Sequence, residues 1–118
     1  MFFEDYINLQ REWSERTFGD GRRTVGLCRH IEKELNEIKR SPDDLFEWID
    51  VVILAIDGAW RAGYSPEQII EALLEKQQVN FERRWPAPQA QYEPTEHIGH
   101  NEHEKETKNR QVDEIDIE

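Results

Sequence analysis

Residues 45–57 form an apolar run interrupted by three acids, and this run constrains the fold more than any other part of the chain. A helix this apolar belongs in a core, where carboxylates are rarely buried unless a partner stabilises their charge. With about 100° between successive helical residues, Asp50 and Asp57 fall about 60° and about 80° from Glu47 around the helix axis. The three acids therefore share one edge of a predicted helix, and we expect a cation to meet that edge.

The rest of the chain also has a helical pattern. Apolar residues recur at spacings of three and four, and no alternating pattern of convincing length indicates a strand. The predicted helices cover residues 3–16, 23–40, 42–62 and 66–84. Four helices joined by short connections indicate an all-α, bundle-like fold.

Two Ser-Pro pairs mark the predicted starts of the third and fourth helices, at Ser41-Pro42 and at Ser65-Pro66. A serine side chain at the N-cap accepts a hydrogen bond from an early backbone N–H, and a proline suits the first helical position because its missing N–H has no partner there anyway. Gly63 is placed to end the third helix.

The composition changes after Trp85-Pro86. Residues 87–118 contain nine acidic residues against three Lys or Arg, with few apolar residues. Such a segment cannot bury enough surface to offset its ordering entropy. We therefore predict a folded domain over residues 1–86 and a disordered acidic tail over residues 87–118.

The charge balance excludes some partners. The 118 residues include 26 Asp and Glu against 15 Lys and Arg, for a net charge of −11. A negative field of this kind argues against binding polymeric nucleic acid or an anionic membrane surface. One cysteine, Cys28, excludes an internal disulfide, and no signal-peptide pattern or membrane-length apolar run is seen. We expect a cytoplasmic protein.

Two acid pairs face each other across a predicted tight turn. Glu34 and Glu37 lie near the end of the second helix, and Glu47 and Asp50 near the start of the third. Four carboxylates at one interface repel unless cations intervene, and oxygen-only clusters suit Mg²⁺ or Mn²⁺. Glu-x-x-Glu by itself is common on solvated helix faces. A di-iron site would require Glu-x-x-His pairs, which neither motif provides.

The fourth helix supplies complementary charge. Lys76, Asn80 and Arg83 follow at i, i+4 and i+7, so they lie on one side of the helix. A helix C-terminus also favours cations, which accounts for one or two of these residues but not for Asn80. We expect this row to bind phosphate oxygens.

Together these motifs resemble the MazG-like, all-α nucleoside triphosphate pyrophosphohydrolases, in particular the dATP/dGTP diphosphohydrolase (MazZ-like) branch found in phages and bacteria. The segments that carry the resemblance are Gln10-Arg-Glu-Trp-Ser14, Thr17-Phe-Gly19, His30 to Ile38, Glu47-Trp-Ile-Asp50, and Lys76 to Pro86. They span nearly the whole predicted domain in the order typical of the family. The family's Glu-Glu-x-x-Glu pattern is altered here, because Lys33 occupies its first position.

The resemblance implies a Mg²⁺-dependent hydrolysis, with Mn²⁺ as a substitute, between the α- and β-phosphates of dGTP or dATP, releasing dNMP and diphosphate. By position, the catalytic metal ligands are Glu34, Glu37, Glu47 and Asp50. The phosphates are expected at Lys76, Asn80 and Arg83.

Other residues keep more than one interpretation. Trp13 and Phe18 are candidates for stacking on a purine, and Gln10 or Asn8 for a hydrogen bond to the base edge, although core packing is an alternative for each aromatic residue. Asp57 is expected either to orient Lys76 or to receive an arginine from another subunit. His30 is placed beside the metal, near the nucleotide or simply on the surface.

Four helices with one so apolar would leave surface uncovered, so we expect a homodimer or homotetramer that completes the core. Two alternative functions stay open. One is a dUTP or broad-specificity house-cleaning NTP pyrophosphatase, and the other is a non-catalytic helical interaction module.

Overall fold

The computed structural model describes residues 1–88 and 93–99, and it confirms the all-α prediction. Its four helices are α1 (Phe3–Phe18), α2 (Thr24–Arg40), α3 (Leu45–Arg61) and α4 (Pro66–Glu82). Within the described residues, β structure is limited to one isolated bridge. The residues divide into two compact units, one spanning Met1–Ala72 and one beginning at Leu73.

The predicted start of the third helix is wrong by three residues. Helix α3 begins at Leu45, and its N-cap is Asp44, whose carboxylate accepts from the backbone N–H of Phe46 at 3.0 Å. Ser41 instead ends α2, since its N–H donates to carbonyl oxygens in the last turn of that helix. An aspartate caps a helix as well as a serine does, and its charge also suits the positive end of the helix dipole.

The other helix boundaries follow the sequence signals. Before α4, the Ser65 hydroxyl accepts from the N–H of Gln68 at 3.1 Å, and the Gln68 side chain accepts from the N–H of Ser65 at 2.9 Å. This reciprocal pair is a capping box, which satisfies two backbone donors at once. Helix α3 is followed by Gly63, whose φ of 107° is accessible to glycine without a steric cost.

In the first unit, α3 packs against both α1 and α2. The buried centre consists of Ile7 from α1 with Ile56 and Trp60 from the second half of α3. The first half of α3 is different, because its large apolar side chains are exposed: Leu45, Phe46, Trp48, Ile49 and Val52. The oligomer expected to cover such surface stays a prediction.

The second unit includes the last part of α4 and a contact with a later segment. The N–H of Ile98 donates to the carbonyl oxygen of Arg84, and the Trp85 and His97 rings lie 5.9 Å apart in an edge-on arrangement. Residues 93–99 therefore make defined contacts within this unit. The rest of the predicted acidic tail, residues 89–92 and 100–118, lies outside the described residues, and the predicted division at residue 86 stays a prediction.

None of the helices in the described part of the chain combines the length and the apolar character needed to cross a membrane.

Candidate active site

Carboxylates from α2 and α3 meet in the first unit. One oxygen each from Glu34, Glu47 and Asp50 lies within 4.8 Å of the others, and we call these three residues the acid cluster. Glu34 lies in the second-last turn of α2, and Glu47 and Asp50 lie in the first two turns of α3. The four-residue connection 41–44 turns the chain back and brings them together. Three of the four predicted metal ligands are thus gathered by the fold.

Glu37, the fourth predicted ligand, is engaged elsewhere. Its carboxylate accepts from Arg40 one turn later on α2 at 3.0 Å, on an exposed part of the helix. Its negative charge nevertheless contributes to the pKa of Glu47 in the acid cluster. Partial loss of water raises the pKa of Glu47, and the negative charges of Asp44, Glu37, Asp50 and Glu34 raise it further. The arrangement therefore concentrates negative charge at the acid cluster.

His30 contacts the acid cluster. Its Nε2 lies 3.2 Å from Oε1 of Glu34, one helical turn along α2. The Glu34 side chain is 13% exposed, whereas that of His30 is about half exposed. This contact restricts the orientation of the Glu34 carboxylate and places His30 beside a candidate ligand.

A groove of about 350 Å³ runs from the acid cluster along α2. Its α2 wall is formed, about one turn apart, by Glu34, His30, Leu27 and Arg23. Residues of α1 and α3 complete it. Phe18 contacts Arg23, at the opposite end of the α2 wall from Glu34, and Trp13 packs against Phe18. The groove therefore has an acidic end and an aromatic end.

The aromatic end has a defined geometry. The Trp13 and Phe18 rings are 5.5 Å apart and nearly perpendicular, at 87°, and each side chain is about half exposed. The guanidinium carbon of Arg23 lies over the Phe18 ring, 4.9 Å from its centroid. Half-exposed aromatic faces of this kind can stack on a flat ligand. The core-packing alternative suits these two rings less well than it suits the buried Trp60.

Gln10 lines the groove but is held by the protein at both ends of its amide. Its oxygen accepts from the indole N–H of Trp60 at 3.0 Å. Its nitrogen donates to the carbonyl oxygen of Ile53 and to the carboxylate of Asp57, at 3.3 and 3.4 Å. These bonds fix the side chain as part of the groove wall, so base recognition by Gln10 stays a prediction that these contacts do not favour.

Asp57 has a partner that the sequence analysis missed. Arg61, one turn later on α3, donates from Nε to the Asp57 carboxylate, and both side chains are buried. The Ser14 hydroxyl donates to the second Asp57 oxygen and accepts from Nη2 of Arg61 at 2.9 Å. The partners expected from the sequence, Lys76 or an arginine of another subunit, stay predictions. The i, i+4 spacing of Asp57 and Arg61 was a readable signal.

Arg61 also holds the connection between α1 and α2. Its Nη1 donates to the carbonyl oxygens of Gly19 and Gly21, at 2.8 and 2.9 Å. These two carbonyls follow Phe18 directly in the chain. The buried pair therefore stabilises the backbone next to the aromatic end of the groove.

The three predicted phosphate-binding residues lie in the second unit. Lys76 is exposed on α4, and Asn80 is followed one turn later by Arg83. Nη1 of Arg83 donates to the side-chain oxygen of Asn80 at 2.7 Å, which turns the amide nitrogen of Asn80 away from Arg83. Phosphate binding by this row stays a prediction.

The fold and the groove define the class of protein. A carboxylate cluster contributed by two neighbouring helices of an all-α domain, at one end of a groove with aromatic walls, is the arrangement expected for the MazG-like class of helical proteins. Within that class, the model of the dATP/dGTP pyrophosphohydrolase family matches residues 6–105, and the chain belongs to this family.

One relative comes from a phage. The chain is 42% identical over 90 residues to the Eaa protein of Salmonella phage P22. The match covers 74% of this chain and 27% of the phage protein, so the chain spans about a quarter of that relative's length. No solved structure gives a significant match.

Proposed function

We propose that the chain is a metal-dependent dNTP pyrophosphohydrolase that cleaves dGTP or dATP to dNMP and diphosphate. The observation that carries the proposal is the groove with an acid cluster at one end and two half-exposed aromatic rings at the other. Such a groove suits a ligand with a flat base and an anionic chain, provided that a cation separates the phosphates from the carboxylates. Membership of the dATP/dGTP pyrophosphohydrolase family supports the same substrate class.

The acid cluster fits a divalent cation. Its donor set is oxygen only, and the oxygens converge from two helices. Partial loss of water and the neighbouring negative charges raise the pKa of Glu47, and a cation would stabilise those charges. Mg²⁺ and Mn²⁺ prefer such ligands. We propose that Glu34, Glu47 and Asp50 hold the metal and that Glu37 joins them by leaving Arg40. When bound, Mg²⁺ supplies charge neutralisation of the triphosphate and lowers the pKa of a bound water.

The remaining residues bind and orient. One of the two perpendicular rings, Trp13 or Phe18, stacks on the base and the other meets its edge, which places the anionic end of the nucleotide toward the acid cluster. His30 keeps the Glu34 carboxylate in one orientation. We further propose, from charge and spacing, that Lys76, Asn80 and Arg83 bind phosphate oxygens.

The test is to incubate the protein with Mg²⁺ and each of the four dNTPs and dUTP, and to separate the products by ion-exchange chromatography. We expect dNMP and diphosphate from dGTP or dATP. Release of orthophosphate would contradict the bond assignment. Faster turnover of dUTP would favour the house-cleaning alternative, and no turnover of any nucleotide would favour the interaction module.

A further inference from the structure

Arg23 is a residue of the groove that the sequence analysis did not single out. It occupies the N-cap position of α2, is partly buried, and lines the groove beside Trp13 and Phe18. Its guanidinium carbon lies 4.9 Å from the centre of the Phe18 ring. Stacking of this kind limits where an otherwise flexible arginine places its donors.

The charge of Arg23 has no acidic partner in the described part of the chain. The ion pairs there join other residues, and Asp57, one of the acids in the groove lining, is already paired with Arg61. The chain has a net charge of −11, so carboxylates are plentiful on its surface. A partly buried arginine whose planar N–H groups meet no carboxylate can donate hydrogen bonds to a bound ligand.

The position of Arg23 favours a contact with the base of the nucleotide and not with its phosphates. Eleven residues of α2 separate it from Glu34, which at about 1.5 Å per residue corresponds to about 16 Å along the helix. If the phosphates lie at the acid cluster, the base lies toward Arg23. The donors of an arginine match the two acceptors, O6 and N7, on one edge of guanine. Adenine has a donor, N6, in the place of O6, and this donor repels one of the two arginine N–H groups.

We propose that Arg23 reads the O6 and N7 edge of guanine and makes the groove selective for dGTP over dATP. The inference rests on the proposed function for the direction in which the nucleotide lies. It adds a specificity-determining residue to the site.

The test compares wild type with Arg23→Gln, since a glutamine side chain instead matches N6 and N7 of adenine. We expect wild type to favour dGTP over dATP in kcat/KM, and the substitution to lower the dGTP/dATP ratio by about 10-fold or more. The matched control is Arg22→Gln. Arg22 contacts the carbonyl oxygen of Ala62 and does not line the groove, so the ratio should not change.

A second probe needs no substitution. With wild type, 7-deaza-dGTP lacks the N7 acceptor and should be a poorer substrate than dGTP, whereas Arg23→Met, which offers no donor to N7, should treat the two alike. An equal loss on dGTP and dATP in Arg23→Gln would assign Arg23 to the phosphates and overturn the proposal. An unchanged ratio would overturn it as well.

Binding of α,β-methylene analogues of dGTP and dATP, measured by calorimetry with Mg²⁺, separates this inference from the proposed function. Analogue binding whose guanine preference is lost in Arg23→Gln, without hydrolysis of either dNTP, would reject the enzyme and keep the role of Arg23. Hydrolysis with no guanine preference would keep the proposed enzyme activity and reject the role of Arg23. Absence of binding by wild type would overturn both.

Discussion

Arg61 donates from Nε to the carboxylate of Asp57 one turn earlier on α3, where the two side chains are 1% and 7% exposed. The same guanidinium binds the carbonyl oxygens of Gly19 and Gly21. The pair thus links the second half of α3 to the connection that follows Phe18. A contact made in the core therefore supports the aromatic end of the groove.

Replacing Arg61 with Met should lower the free energy of unfolding by about 3–5 kcal/mol, because Asp57 is then buried without its charged partner. Urea unfolding followed by circular dichroism measures the loss. Arg11→Met is the matched control. Arg11 makes the same i, i+4 contact with Glu15, but the two side chains are 47% and 35% exposed, and such a pair contributes at most about 1 kcal/mol. Similar losses in both variants would contradict the structural role of the buried pair.

Mg²⁺ should stabilise the fold through the acid cluster. At a concentration about 100 times its Kd, a ligand that binds only the folded state adds about 2.7 kcal/mol, which raises the midpoint of thermal unfolding by several degrees. Glu47→Gln and Asp50→Asn should lose most of this shift, along with dNTP hydrolysis, because each removes an anionic oxygen. Glu12→Gln, an exposed acid of α1 outside the groove, should keep it. A full Mg²⁺ shift in Glu47→Gln would sink the metal assignment.

Phe18→Ala should weaken nucleotide binding more than turnover. Stacking of a base on an aromatic side chain is worth about 1–3 kcal/mol, so we expect KM to rise by roughly 5- to 150-fold while kcat changes little. Steady-state kinetics with the preferred dNTP gives both constants. Phe46→Ala removes an exposed phenylalanine of α3 outside the groove and should leave KM unchanged. If the two variants behaved alike, the base would lie elsewhere.

The start of α3 can be tested by its N-cap. Asp44→Ala should destabilise the chain by about 0.5–2 kcal/mol relative to Asp44→Asn, since asparagine keeps an oxygen for the N–H of Phe46 and both variants remove the charge. Ser41→Ala should stay within about 0.5 kcal/mol of wild type. Chemical denaturation of the three variants measures these changes. A larger loss in the free energy of unfolding for Ser41→Ala than for Asp44→Ala would support the helix start predicted at Ser41-Pro42.

Much of the fold could be predicted from local signals. The spacing of apolar residues predicted four helices, and the Ser65-Pro66 pair predicted the start of α4, because caps and helical faces depend on residues within one or two turns. The same reasoning was wrong at Ser41-Pro42. Ser41 and Asp44 are both good caps, and the choice depends on where α2 ends.

The acids of residues 45–57 show where local signals stop being sufficient. Their spacing alone determined that Glu47, Asp50 and Asp57 share one edge of a helix that needs cationic partners. The tertiary structure divided them, placing Glu47 and Asp50 beside Glu34 and burying Asp57 with Arg61 and Ser14. Ser14 lies 43 residues from Asp57 in the chain, and Phe18 meets Arg23 only because the intervening connection folds back. Such partners follow from how helices pack, which involves the whole domain at once, whereas the helix edge follows from backbone geometry within a few turns.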